Sequence, residues 1–187
     1  AGCYPLTVTV QNLSVSADKF LWELSSTNGT NEKSSLREPT FNIYDPGTYT
    51  LTLTAQKEGN PNFVQVLSKT IEVFPKPLAD FFLRQNQAYT GSQIKPVNQS
   101  QFTCGNCYTW DFGDGFTYDG VFEPSHFYTL EGKYTVTLAA SVDYGEYDID
   151  DDGVIDGSVI CSDETSQEIR IIDGGAVKIP NAFTPNV

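Results

Sequence analysis

Tyr108-Thr109-Trp110-Asp111-Phe112-Gly113-Asp114-Gly115 is the stretch on which the reading of this chain turns. An apolar alternation around a large Trp runs into a Gly-Asp-Gly turn. Gly accepts positive φ there without steric cost, and Asp caps backbone amides two residues on. Downstream stand Glu123-Pro124-Ser125-His126-Phe127-Tyr128 and then Gly132-Lys133-Tyr134-Thr135-Val136-Thr137-Leu138. The last run alternates strictly, and a period of two buries one face of a strand and wets the other. Strand, tight turn and second strand, with Trp110 as a core plug, describe part of a β-sandwich.

This order resembles the PKD (polycystic kidney disease) domain, a small immunoglobulin-like β-sandwich whose hallmark is the WDFGDG run. The resemblance implies that Trp110, Asp111, Gly113, Asp114, Gly115 and Tyr134 are structural. It also implies a spacer or interaction module rather than a catalyst. Asp111 and Asp114 then serve turn geometry, although two close carboxylates are also what a glycosidase uses.

The chain holds a weak internal repeat. Phe20-Leu21-Trp22-Glu23-Leu24 stands where Tyr108 to Phe112 stands later, and Glu38-Pro39-Thr40-Phe41 matches Glu123-Pro124-Ser125-His126. Gly47-Thr48-Tyr49-Thr50-Leu51-Thr52-Leu53-Thr54 matches Gly132 to Ala139. Tyr49 and Tyr134 resemble the tyrosine corner of Greek-key sandwiches, in which the hydroxyl ties back to upstream backbone. Leu6-Thr7-Val8-Thr9-Val10 is a further alternating strand, and no window reads as an amphipathic helix. The expected fold is all-β, two tandem immunoglobulin-like (PKD-type) sandwiches. Domain one spans 1–75 and is the degenerate copy; domain two spans 76–174. Phe74-Pro75-Lys76-Pro77 marks the boundary as a short semi-rigid spacer, because two nearby prolines favour extended backbone.

Charge narrows the function classes. Twenty-four acids against 11 bases give a net charge of −13. Such a surface does not displace counterions from nucleic-acid phosphates or dock onto anionic lipid. No apolar run approaches the length of a membrane span. Methionine is absent, so the chain is expected to be a processed product or a part of something longer.

Asp148-Ile149-Asp150-Asp151-Asp152-Gly153-Val154-Ile155-Asp156 has the D-x-D-x-D-G spacing of a calcium loop. Carboxylates at alternate positions wrap one hard cation and Gly153 makes the sharp turn. Asp148, Asp150, Asp152 and Asp156 are the expected side-chain ligands, with the Val154 carbonyl as a further oxygen. Ile155 falls where such loops place an apolar anchor. Val159 replaces the usual bidentate Glu, so affinity depends on Asp163 or Glu164 folding back, and a Kd on the order of 10⁻⁴–10⁻³ M is expected. Calcium would relieve the repulsion among nine acids between Asp143 and Glu164, which have no Lys or Arg among them.

Cysteines stand at 3, 104, 107 and 161. Cys104-Gly105-Asn106-Cys107 precedes a strand rather than opening a helix, and a lone CxxC supplies two of the four ligands of a structural zinc. Disulfides in an oxidising compartment are the preferred reading. Immunoglobulin-like topology implies that Cys161 reaches Cys104 or Cys107; a local Cys104–Cys107 ring is the alternative. Cys3 is expected to lack a partner within these residues. His126, the only histidine, has no Ser or Cys partner at motif spacing, so no catalytic triad or zinc-hydrolase set assembles.

Residues 175–187 read as a linker. Within them, Ile179-Pro180-Asn181-Ala182-Phe183-Thr184-Pro185-Asn186 resembles the opening of the gliding-motility-associated C-terminal domain, a sorting signal for type IX secretion. The resemblance implies export by that route and a position directly before the sorting domain. The expected protein is a non-enzymatic stalk or adhesin segment of a large secreted, cell-surface bacterial protein. Its partners would be neighbouring domains of the same polypeptide, the secretion machinery, and surface glycans or another cell-surface protein. The rival is a glycan-binding accessory module of a polysaccharide-degrading enzyme, for which Tyr118, Phe122, Tyr144 and Tyr147 are the candidate stacking residues.

Overall fold

The structure is a computed structural model that describes residues 1–101, 107–120, 122–148 and 153–175. Among the described residues every regular element is a strand. They divide into two compact units, Ala1–Pro77 with Ser141–Ser162, and Leu78–Ala140 with Asp163–Val187. The boundaries read from sequence put residues 141–162 with the second domain; the compact units put them with the first.

The first unit contains β1 (Gly2–Cys3), β2 (Leu6–Thr9), β3 (Lys19–Ser26), β4 (Asn31–Ser34), β5 (Thr40–Ile43), β6 (Gly47–Lys57) and β7 (Asn60–Phe74). One sheet runs β1-β7-β6-β3-β4 and β2 pairs with β5. Alternation decides which residues meet between these layers. Trp22 and Leu24 of β3, Tyr49 and Leu51 of β6, and Ile71 and Val73 of β7 cluster with Phe41 and Ile43 of β5. Leu6 and Val8 of β2 pack against that cluster. Trp22 is buried as expected and donates its Nε1–H to Arg37 O at 3.3 Å.

The second unit uses β8 (Phe81–Phe82), β9 (Gln87–Tyr89), β10 (Gln93–Ile94), β11 (Val97–Asn98), β12 (Tyr108–Asp111), β13 (Thr117–Asp119) and β14 (His126–Phe127). It also takes the sheet portions of β15 (Gly132–Tyr147) and β16 (Gly157–Ile172). Its large sheet runs β13-β12-β15-β16-β9, with the short pairs β10-β14 and β11-β8. Trp110, Phe112, Val136, Leu138, Ile169 and Ile171 pack with Phe81, Ile94 and Tyr128. Trp110 has no exposed surface and meets Phe81 edge-on, ring centroids 5.0 Å apart. Both units add a parallel strand to the last strand of the large sheet. Gly2 pairs with Val73 in the first, and Gln87 to Tyr89 pair with Arg170 to Ile172 in the second. All-β architecture in two sandwich domains follows from this layering.

The repeat reaches further than the strands. Asn12 Oδ1 accepts Ser14 N–H at 2.9 Å while Asn12 Nδ2 donates to Arg37 O at 3.1 Å. Asn98 does the same with Ser100 N–H at 2.9 Å and Phe122 O at 3.2 Å. Both amides are buried, and Arg37 and Phe122 each precede a Glu-Pro pair. Each Asn thus satisfies one backbone group of its own loop and one of a segment 25 or 24 residues away, which a buried amide must do to offset its desolvation. The tyrosine corners also form: Tyr49 OH donates to Asp45 O at 2.9 Å and Tyr134 OH to Leu130 O at 3.1 Å.

Phe74-Pro75-Lys76-Pro77 is not an open spacer. Phe74 closes β7 and stacks on Tyr144 at 4.4 Å, Pro75 O accepts Tyr144 OH at 2.9 Å, and Pro77 is fully buried. Aromatic stacking and hydrogen bonding hold the segment where proline stiffness alone would leave it extended in water.

Candidate functional site

The Gly-Asp-Gly turn is built as its composition predicts. Asp111 Oδ1 accepts Gly113 N–H at 2.7 Å, and Asp114 Oδ1 accepts Phe116 N–H at 3.2 Å. Gly113 has φ of 74°, and a Cβ there would lie 2.7 Å from Thr135 O. Neither an L side chain's conformational preference nor the space allows another residue. The second oxygen of Asp114 meets His126 Nε2 at 2.8 Å. His126 is 3% exposed and packs against Phe112, Phe116, Tyr118 and Tyr128. Tyr128 OH donates to Phe112 O at 2.7 Å. Burial, helped by the nearby Asp114 carboxylate and then by Tyr134 and Asp111, pushes the Tyr128 phenol far above its ordinary range.

Sequence reasoning placed Asp111 and Asp114 correctly as turn residues but missed the Asp114–His126 pair. The repeat held a signal for it. Where the second unit has Asp114 and His126, the aligned positions of the first are Ser26 and Phe41, and Phe41 is a core residue. A histidine in a core slot wants a partner for its ring N–H, and the turn Asp supplies it. All three polar side chains therefore bond within the fold.

The acidic hairpin is the second candidate. β15 and β16 reach its loop, and Asp156 N–H donates to Tyr147 O at 3.0 Å across the loop base. Asp148 Oδ2 accepts Gly153 N–H at 2.7 Å. Asp150 and Asp152 lie outside the described residues. Ile155 is 54% exposed, so it is not the apolar anchor expected from its position. Val159 is buried instead. Asp163, a candidate to complete the ligand set, accepts Ala79 N–H at 2.9 Å in the second unit. Among the described residues no three acidic, His or Cys side chains group closely enough to hold a metal.

Cys161 is bonded to Cys3, not to Cys104 or Cys107. This overturns both the expected partner of Cys161 and the expected solitude of Cys3. The reason is that β16 continues as far as the residues that belong to the first unit, where β1 carries Cys3 alongside Phe74. Immunoglobulin-like topology of the second domain alone could not show it. Cys107 is disulfide-bonded, and Cys104 lies outside the described residues. Disulfides of this kind belong to an oxidising compartment.

Three of the four candidate stacking aromatics are packed within their own units. Tyr118 meets Phe112 edge-on at 5.6 Å and donates its hydroxyl to Ser125 O. Tyr144 and Tyr147 pack on Phe74, and burial raises the Tyr144 phenol above its usual value. Phe122 is the one left more than half exposed, its ring edge against Tyr108.

Residues 76–155 match the PKD domain family. The match covers the Asp111–Gly115 turn, the buried His126 and the acidic loop as far as Ile155. Two solved structures are similar to the chain at 12% identity. One is the amphioxus IgVJ-C2 molecule, with 89% of this chain and 97% of that chain covered and a TM-score of 0.36. The other comprises the fibronectin(III)-like modules of Clostridium thermocellum CbhA, covering 92% and 87% with a TM-score of 0.37. A PKD domain and a disulfide are both typical of extracellular proteins.

Proposed function

We propose that this chain is a non-catalytic stalk or adhesin segment of a larger cell-surface or secreted bacterial protein, exported by the type IX pathway. The observation that carries the non-catalytic reading is the Asp114–His126 pair. The acid–histidine couple of the PKD domain is bonded to itself beneath four aromatic rings, and Asp111 caps Gly113. Such bonding commits these groups to holding the turn, and His126 is buried. The export route rests on Ile179 to Asn186, which lie outside the described residues.

Calcium is the proposed cofactor of the Asp148–Asp156 loop. The D-x-D-x-D-G spacing supports it, as does the inward turn of Asp148 onto Gly153 N–H. Calorimetric titration of the full chain with calcium should give one site that disappears in the Asp150→Ala, Asp152→Ala variant. No heat in the unmodified chain would sink the calcium assignment. Co-sedimentation with insoluble polysaccharide should leave the protein in solution; depletion would favour the accessory-module alternative. Loss of the parent protein from the surface of cells lacking the type IX channel would support the export route, and unchanged display would refute it.

A further inference from the structure

The bond between Cys3 and Cys161 closes a covalent loop with a sequence separation of 158, and β2 to β15 all lie inside it. Outside it stand Ala1 and Gly2 on one side and the residues after Cys161 on the other. The bridge takes the chain across a Cα–Cα distance of 5.6 Å. Without it, the same two points are joined only through the strands of both units, one after another.

Tension follows the shortest covalent route. A pull that enters ahead of Cys3 and leaves after Ile172 passes through the two sulfurs to Cys161 and then along β16. Strands β2 to β15 form the slack arm of the loop and bear none of it. β16 is already extended. A strand rises about 3.3 Å per residue, against a limit of about 3.3–3.6 Å for a fully stretched chain, so pulling it end to end gains almost no length. In the second unit β16 lies between β15 and β9, with Ile169 and Ile171 in the core. A load carried through its own backbone from one end to the other puts no shear on those ladders. Cys161 has no exposed surface, so a reducing thiol reaches its sulfur only after local opening.

We infer that the Cys3–Cys161 bond makes this chain an inextensible tether, in which tension runs through the bridge and β16 while both sandwiches stay unloaded and folded. The inference deepens the stalk reading and rests on it only for the presence of a pull. A stalk whose sandwiches bear load in series lengthens each time one is forced open, at a rate set by unfolding of the loaded domain. Here that failure is removed from the path. Whatever surface either unit presents keeps its shape at any load the bond survives.

The full chain, held by marker domains at its two ends and stretched as single molecules without reductant, should show no unfolding step of its own. Cys3→Ser with Cys161→Ser should add about 520–570 Å of length, the reach of the 158 residues released. That gain counts residues and is read whether or not the variant folds. A handle inserted after Leu130, exposed between β14 and β15, and pulled against the C-terminus should give unfolding steps, because it loads β15 inside the loop. An unfolding step in the unmodified chain pulled end to end, or equal lengths for it and the serine variant, overturns the inference. Silence from the Leu130 handle also overturns it, since the sandwiches would then survive by their own strength rather than by the bridge. These traces do not depend on the export route or on glycan binding, so the stalk reading can fail while they stand.

Discussion

Cys3 and Cys161 are joined by a disulfide that spans 158 residues of sequence. It binds β1 to the returning arm of the long hairpin, inside one compact unit. Residues 141–162, reached late in the chain, thus group with Ala1–Pro77 in one compact unit.

Removing this bond should loosen the first unit. A cross-link over so long a loop restricts the unfolded chain strongly, so Cys3→Ser with Cys161→Ser should cost about 2–5 kcal/mol. Denaturant unfolding would measure the loss. Protease cutting within residues 141–162 should rise with it, and an unchanged midpoint and cutting pattern would show that noncovalent packing such as Phe74 on Tyr144 suffices.

The Asp114–His126 pair should be a coupled unit. Asp114→Ala strips an acceptor from a buried ring nitrogen and from Phe116 N–H, at a cost of about 1–3 kcal/mol. The double change Asp114→Ser, His126→Phe copies Ser26 and Phe41 of the first unit and should recover much of the loss. Chemical denaturation of the single and double variants forms a cycle whose interaction energy should exceed about 0.5 kcal/mol. Simple additivity would mean that the two side chains act independently.

Gly113 is the least replaceable residue of the turn. An Ala there meets a positive φ and the Thr135 carbonyl together, so Gly113→Ala should destabilise by at least about 2 kcal/mol. Gly115→Ala has the same backbone penalty but open space around its Cβ, and should cost less. Equal melting temperatures for the two variants would contradict the close approach to Thr135.

Alkaline pH should unfold the PKD domain through Tyr128. Burial raises its folded-state pKa above the ordinary tyrosine value of about 10, so the folded state holds the proton longer than the unfolded chain does. The stability this gives is whole below about pH 10 and falls as pH climbs toward the folded value. Tyr128→Phe loses the hydrogen bond to Phe112 O, costing about 1–2 kcal/mol at neutral pH. The same variant should show a flatter decline above pH 10 than the unmodified chain in a melting series. A parallel decline would assign the alkaline loss to other groups.

Much of this was readable from residue order. Alternation around Trp22 and Trp110, the Gly-Asp-Gly turn and the Gly-x-Tyr starts each express a local rule: strand period, backbone freedom, a hydroxyl near its own upstream carbonyl. Those rules act within a few residues, so they show in the chain itself. The Asn12 and Asn98 locks escaped notice because each joins its loop to a carbonyl 25 or 24 residues away, and Asn-x-Ser has no periodicity to betray it. The Asp114–His126 pair was hidden for the same reason.

By itself, then, the sequence determined an all-β chain of two sandwiches, the residues that plug their cores, and the turn that Asp111 and Asp114 cap. Only the tertiary structure decided that Cys161 belongs with Cys3 and that residues 141–162 group with the first unit. Strand period reports which face of an element is buried. It carries no information on which distant element does the burying, because that is settled by packing and covalent closure after the strands have formed.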